Sequence, residues 1–248
     1  MKLNKIEPKY TSKFNPRIGL ITLGSDFRIE KDFNNVIYGK DIDLYVNRIH
    51  CYNPLTNESL AKMADDITEV TKDILPDQKI DCVAYGCTSG TVAAGYDTIK
   101  SKINLAKPDA KVTTPITSTI KALRALNIKK ISIFTPYTKI INESVVSYFE
   151  KENITINSLA YFDIDSDLDI GKVDQNYLFQ VLSKIDLKDS DALFVSCTAL
   201  PVLSIIDKLE KKLNKIVLSS NQTLIWETLN VIRNKEPVVG FGKIFAVT

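Results

Sequence analysis

Histidine is the residue this chain most conspicuously lacks. Of its 248 residues, one is His, one is Trp, two are Met and four are Cys. Any Ser–His or Cys–His chemistry would rest on His50 alone, and His50 sits in LYVNRIHCY, an alternating run that reads as a strand, so it is taken as structural. A zinc site would need an unusual ligand set, because one His and no CxxC pair are available. Charge of one sign is also missing. Lys and Arg number 32 against 30 acids, a net charge of +2, and the lysines are interspersed with acids, so nucleic-acid binding is not expected. No run approaches the roughly 18 apolar residues of a membrane span. The start, MKLNKIEPKYTSKFNPR, has no apolar core, so it reads as an N-terminal arm and not as a secretory leader. A cytoplasmic, reducing compartment is expected, and with it free cysteines.

What is present is a regular alternation of apolar runs and amphipathic stretches. RIGLITL (17–23), DLYVNRIHC (43–51), DCVAYGC (81–87), KVTTP (111–115), KISIFTP (130–136), ITINSLAYF (154–162), DALFVSC (191–197) and KIVLSS (215–220) read as strands. Helices are expected over 56–74, from 88, over 116–126, 138–151 and 173–186, from about 200, and over 221–233. Strands separated by helices of this length imply parallel sheets with right-handed crossovers, so the fold class is α/β.

The pattern repeats. DCVAYGCTSG (81–90) matches DALFVSCTAL (191–200), RIGLITLGSD (17–26) matches KISIFTPYTK (130–139), and KVTTPITST (111–119) matches KIVLSSNQT (215–223). The offsets are 110, 113 and 104 residues (197 − 87, 130 − 17 and 215 − 111), in the same order along the chain. Two similar lobes follow, Rossmann-like and related by a pseudo-twofold axis: 1–115 plus 217–248, and 116–216. Ligands of open parallel sheets sit outside the carboxyl ends of strands. Cys87 and Cys197 each end a strand and precede a helix, so a twofold would aim both thiols into one interlobe cleft.

A thiol at a helix N-terminus has its thiolate favoured by free N–H groups. Paired thiols can act as a two-sided acid and base on carbon, or one can add as a nucleophile to an activated double bond. Neither reaction calls for a metal or an organic cofactor, and none is expected. Cys51 and Cys82, inside apolar strands, read as small core residues. Asp26 follows the first strand and Tyr137 the fifth, at nearly matching places. Asp26 suits either an N-cap or a ligand contact. Tyr137 is placed to bond a substrate. Ser219–Ser220–Asn221 reads first as a helix cap. The acids Asp163, Asp165, Asp167 and Asp169 read as a solvated loop, without the glycine and terminal glutamate of a calcium loop.

YGCTSGT (85–91), FTPYTKIIN (134–142), SCTALP (196–201) and SSNQTLIWETL (219–229) resemble the aspartate/glutamate racemase superfamily. The closer resemblance is to the branch of maleate cis-trans isomerase, arylmalonate decarboxylase and the ectoine-utilisation racemase-like proteins, and it runs from residue 17 to about 245. It implies an active site between the lobes, with Cys87 as first-lobe base or nucleophile and Cys197 as second-lobe proton donor. Thr88, Ser89, Thr198 and Ala199 would line carboxylate sites, and Tyr137 would bind substrate. The decarboxylase branch typically lacks the first-lobe cysteine, so Cys87 points to racemisation or isomerisation. Asp26 stands where maleate isomerases carry an asparagine that binds a substrate carboxylate. A charged acid there would repel a dicarboxylate. The expected activity is therefore a cofactor-independent racemase or isomerase of a small carboxylate bearing nitrogen, an amino acid or an ectoine-derived acid. Maleate isomerisation through Cys87, arylmalonate-type decarboxylation and, least favoured, a small-molecule binding protein are the alternatives. A homo-oligomer, dimer or tetramer, is also implied.

Overall fold

The computed structural model describes residues 1, 3–187 and 189–247. Among these, eight strands form two four-stranded sheets. The first holds β1 (Arg17–Leu23), β2 (Asp43–Ile49), β3 (Cys82–Gly86) and β4 (Lys111–Thr113), in the order β2-β1-β3-β4. The second holds β5 (Lys130–Thr135), β6 (Thr155–Tyr161), β7 (Ala192–Val195) and β8 (Ile216–Ser219), in the order β6-β5-β7-β8. Neighbouring strands run parallel throughout. The repeat in the sequence is thus a repeat of topology, with β1, β2, β3 and β4 answering to β5, β6, β7 and β8.

The helices are α1 (Ile29–Ile37), α2 (Asn57–Lys62), α3 (Ile67–Lys72), α4 (Thr88–Ala94), α5 (Tyr96–Ala106), α6 (Pro115–Ala125), α7 (Lys139–Lys151), α8 (Asp167–Gly171), α9 (Gln175–Leu182), α10 (Ile206–Leu213) and α11 (Ser220–Val231). The inner strands β3 and β7 are buried along their whole length, as parallel strands covered on both faces must be, while the edge strands β2 and β6 stay partly exposed.

The helix expected over 56–74 is broken. Met63–Asp66 forms a 3-10 turn between α2 and α3. Consecutive Met63 and Ala64 are both buried, and the tighter turn brings both inward while Asp65 stays outside. Helix α11 leaves the second sheet and packs on α6, β3 and α1. It is buried from Ser220 to Leu229, and two of its polar side chains are paired across the seam with α6: Thr223 with Thr119 at 2.9 Å, and Glu227 with Ser118 and Lys121. Buried polar groups are tolerated in such a place only when bonded.

In each sheet the strand order reverses beside the first-entered strand. The loops after β1 and β3, and those after β5 and β7, therefore diverge at a switch point, where a ligand crevice forms. Asp26 and Cys87 stand at the first switch point, Tyr137 and Cys197 at the second. Among the described residues no helix is long and apolar enough to cross a membrane.

Candidate active site

Cys87 is the N-cap of α4, in extended backbone, and its Sγ accepts the Gly90 N–H at 3.2 Å. The Ser89 hydroxyl lies 4.0 Å from the same sulfur. A Cβ on Gly90 would stand 2.8 Å from Cys87 Sγ, 3.0 Å from Met63 Cε and 3.1 Å from the Tyr85 hydroxyl. Only glycine lets those three groups share the space.

Cys197 departs from the expectation. It does not open a helix. β7 stops at Val195, and the chain runs irregularly to a 3-10 turn at Leu203 before α10 begins. Cys197 takes a φ of +98°, a region rarely used by L residues. Its N–H donates to Ser220 Oγ at 3.0 Å, and its sulfur is approached by the Ala199 N–H and the Tyr137 hydroxyl.

The two thiols are 3% and 6% exposed, so both are shut off from solvent. Burial pushes both thiols up, with the charge of Asp167 adding to the effect on each. This corrects the expectation of a thiolate favoured outright by a helix end: in the closed site desolvation outweighs the N–H donors. Tyr85 and Tyr137 are buried phenols whose ionisation is also pushed up by desolvation, which keeps them as hydrogen-bond donors.

Asp26 both caps and remains available. Its Oδ1 accepts the N–H groups of Arg28 (2.7 Å) and Ile29 (3.0 Å), holding the start of α1. Its Oδ2 is buried and without a hydrogen-bond partner. The Thr198 hydroxyl lies beside Asp26, but its one proton goes to the Gly86 carbonyl at 3.3 Å. Burial raises the Asp26 carboxyl above its ordinary range.

Three contributors were read otherwise from the sequence. Asp167 is no solvated loop residue. It opens the first turn of α8, is 3% exposed, accepts the Ser25 hydroxyl at 2.6 Å, and is pushed by burial to about 6. The signal was Ser166 capping a short turn that buries Ile170, Asp-Leu-Asp-Ile-Gly. Ser220 bridges the halves, accepting Thr88 Oγ1 at 2.8 Å as well as the Cys197 N–H. Asn221 donates to the Thr198 carbonyl and to Asp32 Oδ2, both at 2.8 Å, and leaves its own Oδ1 buried and unpartnered. Asp32 is held near 7 by burial. A helix cap needs one hydroxyl, and Ser219 supplies it. Cys51 and Cys82 carry no such set of donors, and burial pushes them to about 11 and about 12. His50 is exposed and packs edge-on against Tyr52.

The lobes are latched over the site. Arg28 donates twice to the Gly171 carbonyl, at 2.8 and 3.2 Å, and the Leu55 N–H donates to the Asp165 carbonyl at 2.8 Å. Gly171 meets the Phe27 ring so closely that a Cβ would lie 2.7 Å from it. Beside the latch lies an interlobe cleft of about 310 Å³, lined by Arg28, Lys31, Asp32 and Asn35 from one side and Gln175, Pro201, Leu203 and Ser204 from the other. A larger hollow of about 570 Å³, around Lys79, Lys107 and Ala110, lies at the amino ends of the first sheet's strands and holds no thiol. The candidate site thus brings together Cys87, Cys197, Tyr137, Asp26, Thr88, Ser89, Thr198 and Ala199, with Ser220, Asn221 and Asp167 added.

The family pattern described as arylmalonate decarboxylase matches residues 35–245. The maleate isomerase of Geobacillus stearothermophilus is 25% identical over 246 residues, covering 93% of this chain and 97% of its own. Among solved structures, a cysteine-to-serine variant of the Nocardia farcinica maleate cis-trans isomerase, carrying a covalently bound succinylcysteine intermediate, superposes with a TM-score of 0.86 at 21% identity over 93% of this chain and 98% of that one. A liganded arylmalonate decarboxylase with glycine-to-cysteine and cysteine-to-serine changes superposes with a TM-score of 0.81 at 20% identity, covering 93% and 98%. These superpositions show a shared two-lobed fold.

Proposed function

Since the chain belongs to the arylmalonate decarboxylase family, we propose that it is a cofactor-independent cis-trans isomerase of a small unsaturated carboxylic acid of the maleate type. The observation that carries this reading is the pair of unlike buried thiols on two turns joined across the lobe interface, with Ser220 accepting from both the Cys197 N–H and the Thr88 hydroxyl beside Cys87. Cys87 is the nucleophile and Cys197 the proton donor. The Cys87 thiolate adds to one alkene carbon, forming a C–S bond, and the adjacent carbon takes the proton of Cys197. The former double bond, now single, rotates. The Cys197 thiolate then takes that proton back, the double bond re-forms and the Cys87 thiolate leaves. The adduct is a succinyl thioether, the species named in the Nocardia relative.

Burial changes the argument from Asp26. A charged Asp26 would repel a second carboxylate, but a protonated one donates a hydrogen bond to it, and desolvation favours the protonated form. The Ser89 hydroxyl supplies a further donor beside Cys87, while the Thr88 and Thr198 protons already go to Ser220 and the Gly86 carbonyl and the Tyr137 hydroxyl faces Cys197.

A second reading is favoured by the free acceptors Asp26 Oδ2 and Asn221 Oδ1, which a substrate N–H would satisfy. A nitrogen-bearing acid would then be racemised, one thiolate removing the α-proton while the other thiol delivers one to the opposite face. Incubation with maleate, acid quench and peptide mass spectrometry separate the two. The isomerase reading expects fumarate and a succinyl adduct on Cys87 that accumulates in Cys197→Ser. It is overturned if neither forms while amino or diamino acids take up deuterium at the α-carbon from deuterated water, the result the second reading expects.

A further inference from the structure

We propose that Ser220 is a positioning residue that ties the two cysteine turns together across the lobe interface and sets the geometry of Cys197. It rests on the reading of Cys87 as nucleophile and Cys197 as proton donor. Ser220 is fully buried, and its oxygen accepts one hydrogen bond from each side: Thr88 Oγ1, next to Cys87, at 2.8 Å, and the Cys197 N–H at 3.0 Å. A hydroxyl oxygen has two acceptor sites, and both are used.

Two features separate this from ordinary helix capping. First, the cap of α11 is complete without Ser220. Ser219 accepts the Gln222 N–H, and the Gln222 side chain returns the bond to the Ser219 N–H. Second, Cys197 holds a φ of +98°, a conformation that persists only when its surroundings fix it. The Ser220 bond to its N–H is a direct clamp on that conformation. The Thr198 hydroxyl bond to the Gly86 carbonyl fastens the same two turns from the other side. Tilting the Cys197 peptide would move its sulfur relative to the Tyr137 hydroxyl and the Ala199 N–H, the two donors that approach it. The titratable groups facing that sulfur are Asp167 and Asp26.

The test is Ser220→Ala, assayed as turnover over a pH series. The expected result is a fall in kcat of about 30-fold or more, KM within about threefold, and a displaced alkaline limb, the limb that reports loss of the Cys197 proton. The acid limb, which reports Cys87, should stay in place. Ser220→Thr, which keeps the hydroxyl, should restore the limb. If Ser220→Ala does not fold, Thr88→Val removes the donor on the first-lobe side and should displace the same Cys197 limb although Thr88 adjoins Cys87. Unchanged kcat in Ser220→Ala, or a loss of kcat with both limbs in place, overturns the proposal. Movement of the acid limb alone in Thr88→Val overturns it as well. If Cys197→Ser itself retains full activity, the underlying reading fails instead, so the two failures are distinguishable.

Discussion

Replacing Asp167 by Asn should make this protein's stability less sensitive to pH, and by an amount the structure sets. Asp167 is 3% exposed, and burial moves its carboxyl from an ordinary 3.8 to about 6, with the charge of Asp26 adding and the Ser25 hydroxyl opposing. A raised carboxyl favours the folded state only while protonated. Below 3.8 folded and unfolded chains both hold the proton, and nothing is gained or lost. Between 3.8 and about 6 the unfolded chain ionises first, so stability falls as pH rises, and above about 6 the loss is complete. At 1.36 kcal/mol per pH unit the ceiling of that loss is about 3 kcal/mol. Asn keeps an acceptor for Ser25 and cannot ionise, so the variant should lack this component. Its added N–H donors carry a cost independent of pH, so the slopes are compared and not the absolute stabilities. Urea unfolding of both proteins from pH 4 to pH 8 reads this directly: the variant should gain about 1–3 kcal/mol on the parent across the window, nearly all of it between pH 4 and pH 6. A constant difference over the series would show that Asp167 does not titrate there, and the account of a desolvated acid beside the thiols would be wrong. The same substitution should speed alkylation of Cys87 and Cys197, because Asp167 is the leading charge opposing ionisation of both.

Gly90→Ala should lower turnover by roughly 100-fold while costing only about 1–3 kcal/mol of stability. The new Cβ would meet Cys87 Sγ at 2.8 Å, and kcat measured beside the urea midpoint separates a displaced thiol from an unfolded protein. His50→Gln should leave kcat/KM within about twofold from pH 6 to pH 8, because His50 is exposed and packs on Tyr52. A lost pH limb in that variant would restore Cys–His chemistry to consideration.

The strands and their pairing into two like sheets were legible because apolar runs and their 110-residue repeat are local signals, and each observed strand falls within or beside its predicted run. The placement of both thiols just past strand ends was legible for the same reason, but the helix start follows at Cys87 alone. What escaped was polar and tertiary. Asp167 was hidden among four alternating acids, and only the Ser25 contact from the other lobe distinguishes the buried one. Ser220 was hidden beside Ser219: two adjacent hydroxyls at a strand end look like one cap, and the second role appears only when Thr88 and Cys197 converge on it. The broken helix at Met63 follows from burial on consecutive positions, which a helical period cannot express.

The repeat also overstated one likeness, and that difference bears on mechanism. Equal halves would place both cysteines at helix starts and make them interchangeable, as a symmetric two-base racemase would use them. They are not equivalent here. Cys87 has extended backbone at the start of α4 and accepts the Gly90 N–H, an arrangement that favours a sulfur bearing charge. Cys197 stands in an irregular turn, its peptide clamped by Ser220 and its sulfur facing the carboxyls of Asp167 and Asp26. The charge of Asp167 opposes the ionisation of both sulfurs. A sulfur at a helix N-terminus, bonded by a helix N–H, is the better nucleophile, and one in an irregular turn away from any helix start keeps its proton until a carbanion forms within reach. The asymmetry therefore favours addition by Cys87 and protonation by Cys197 over proton exchange between equal bases.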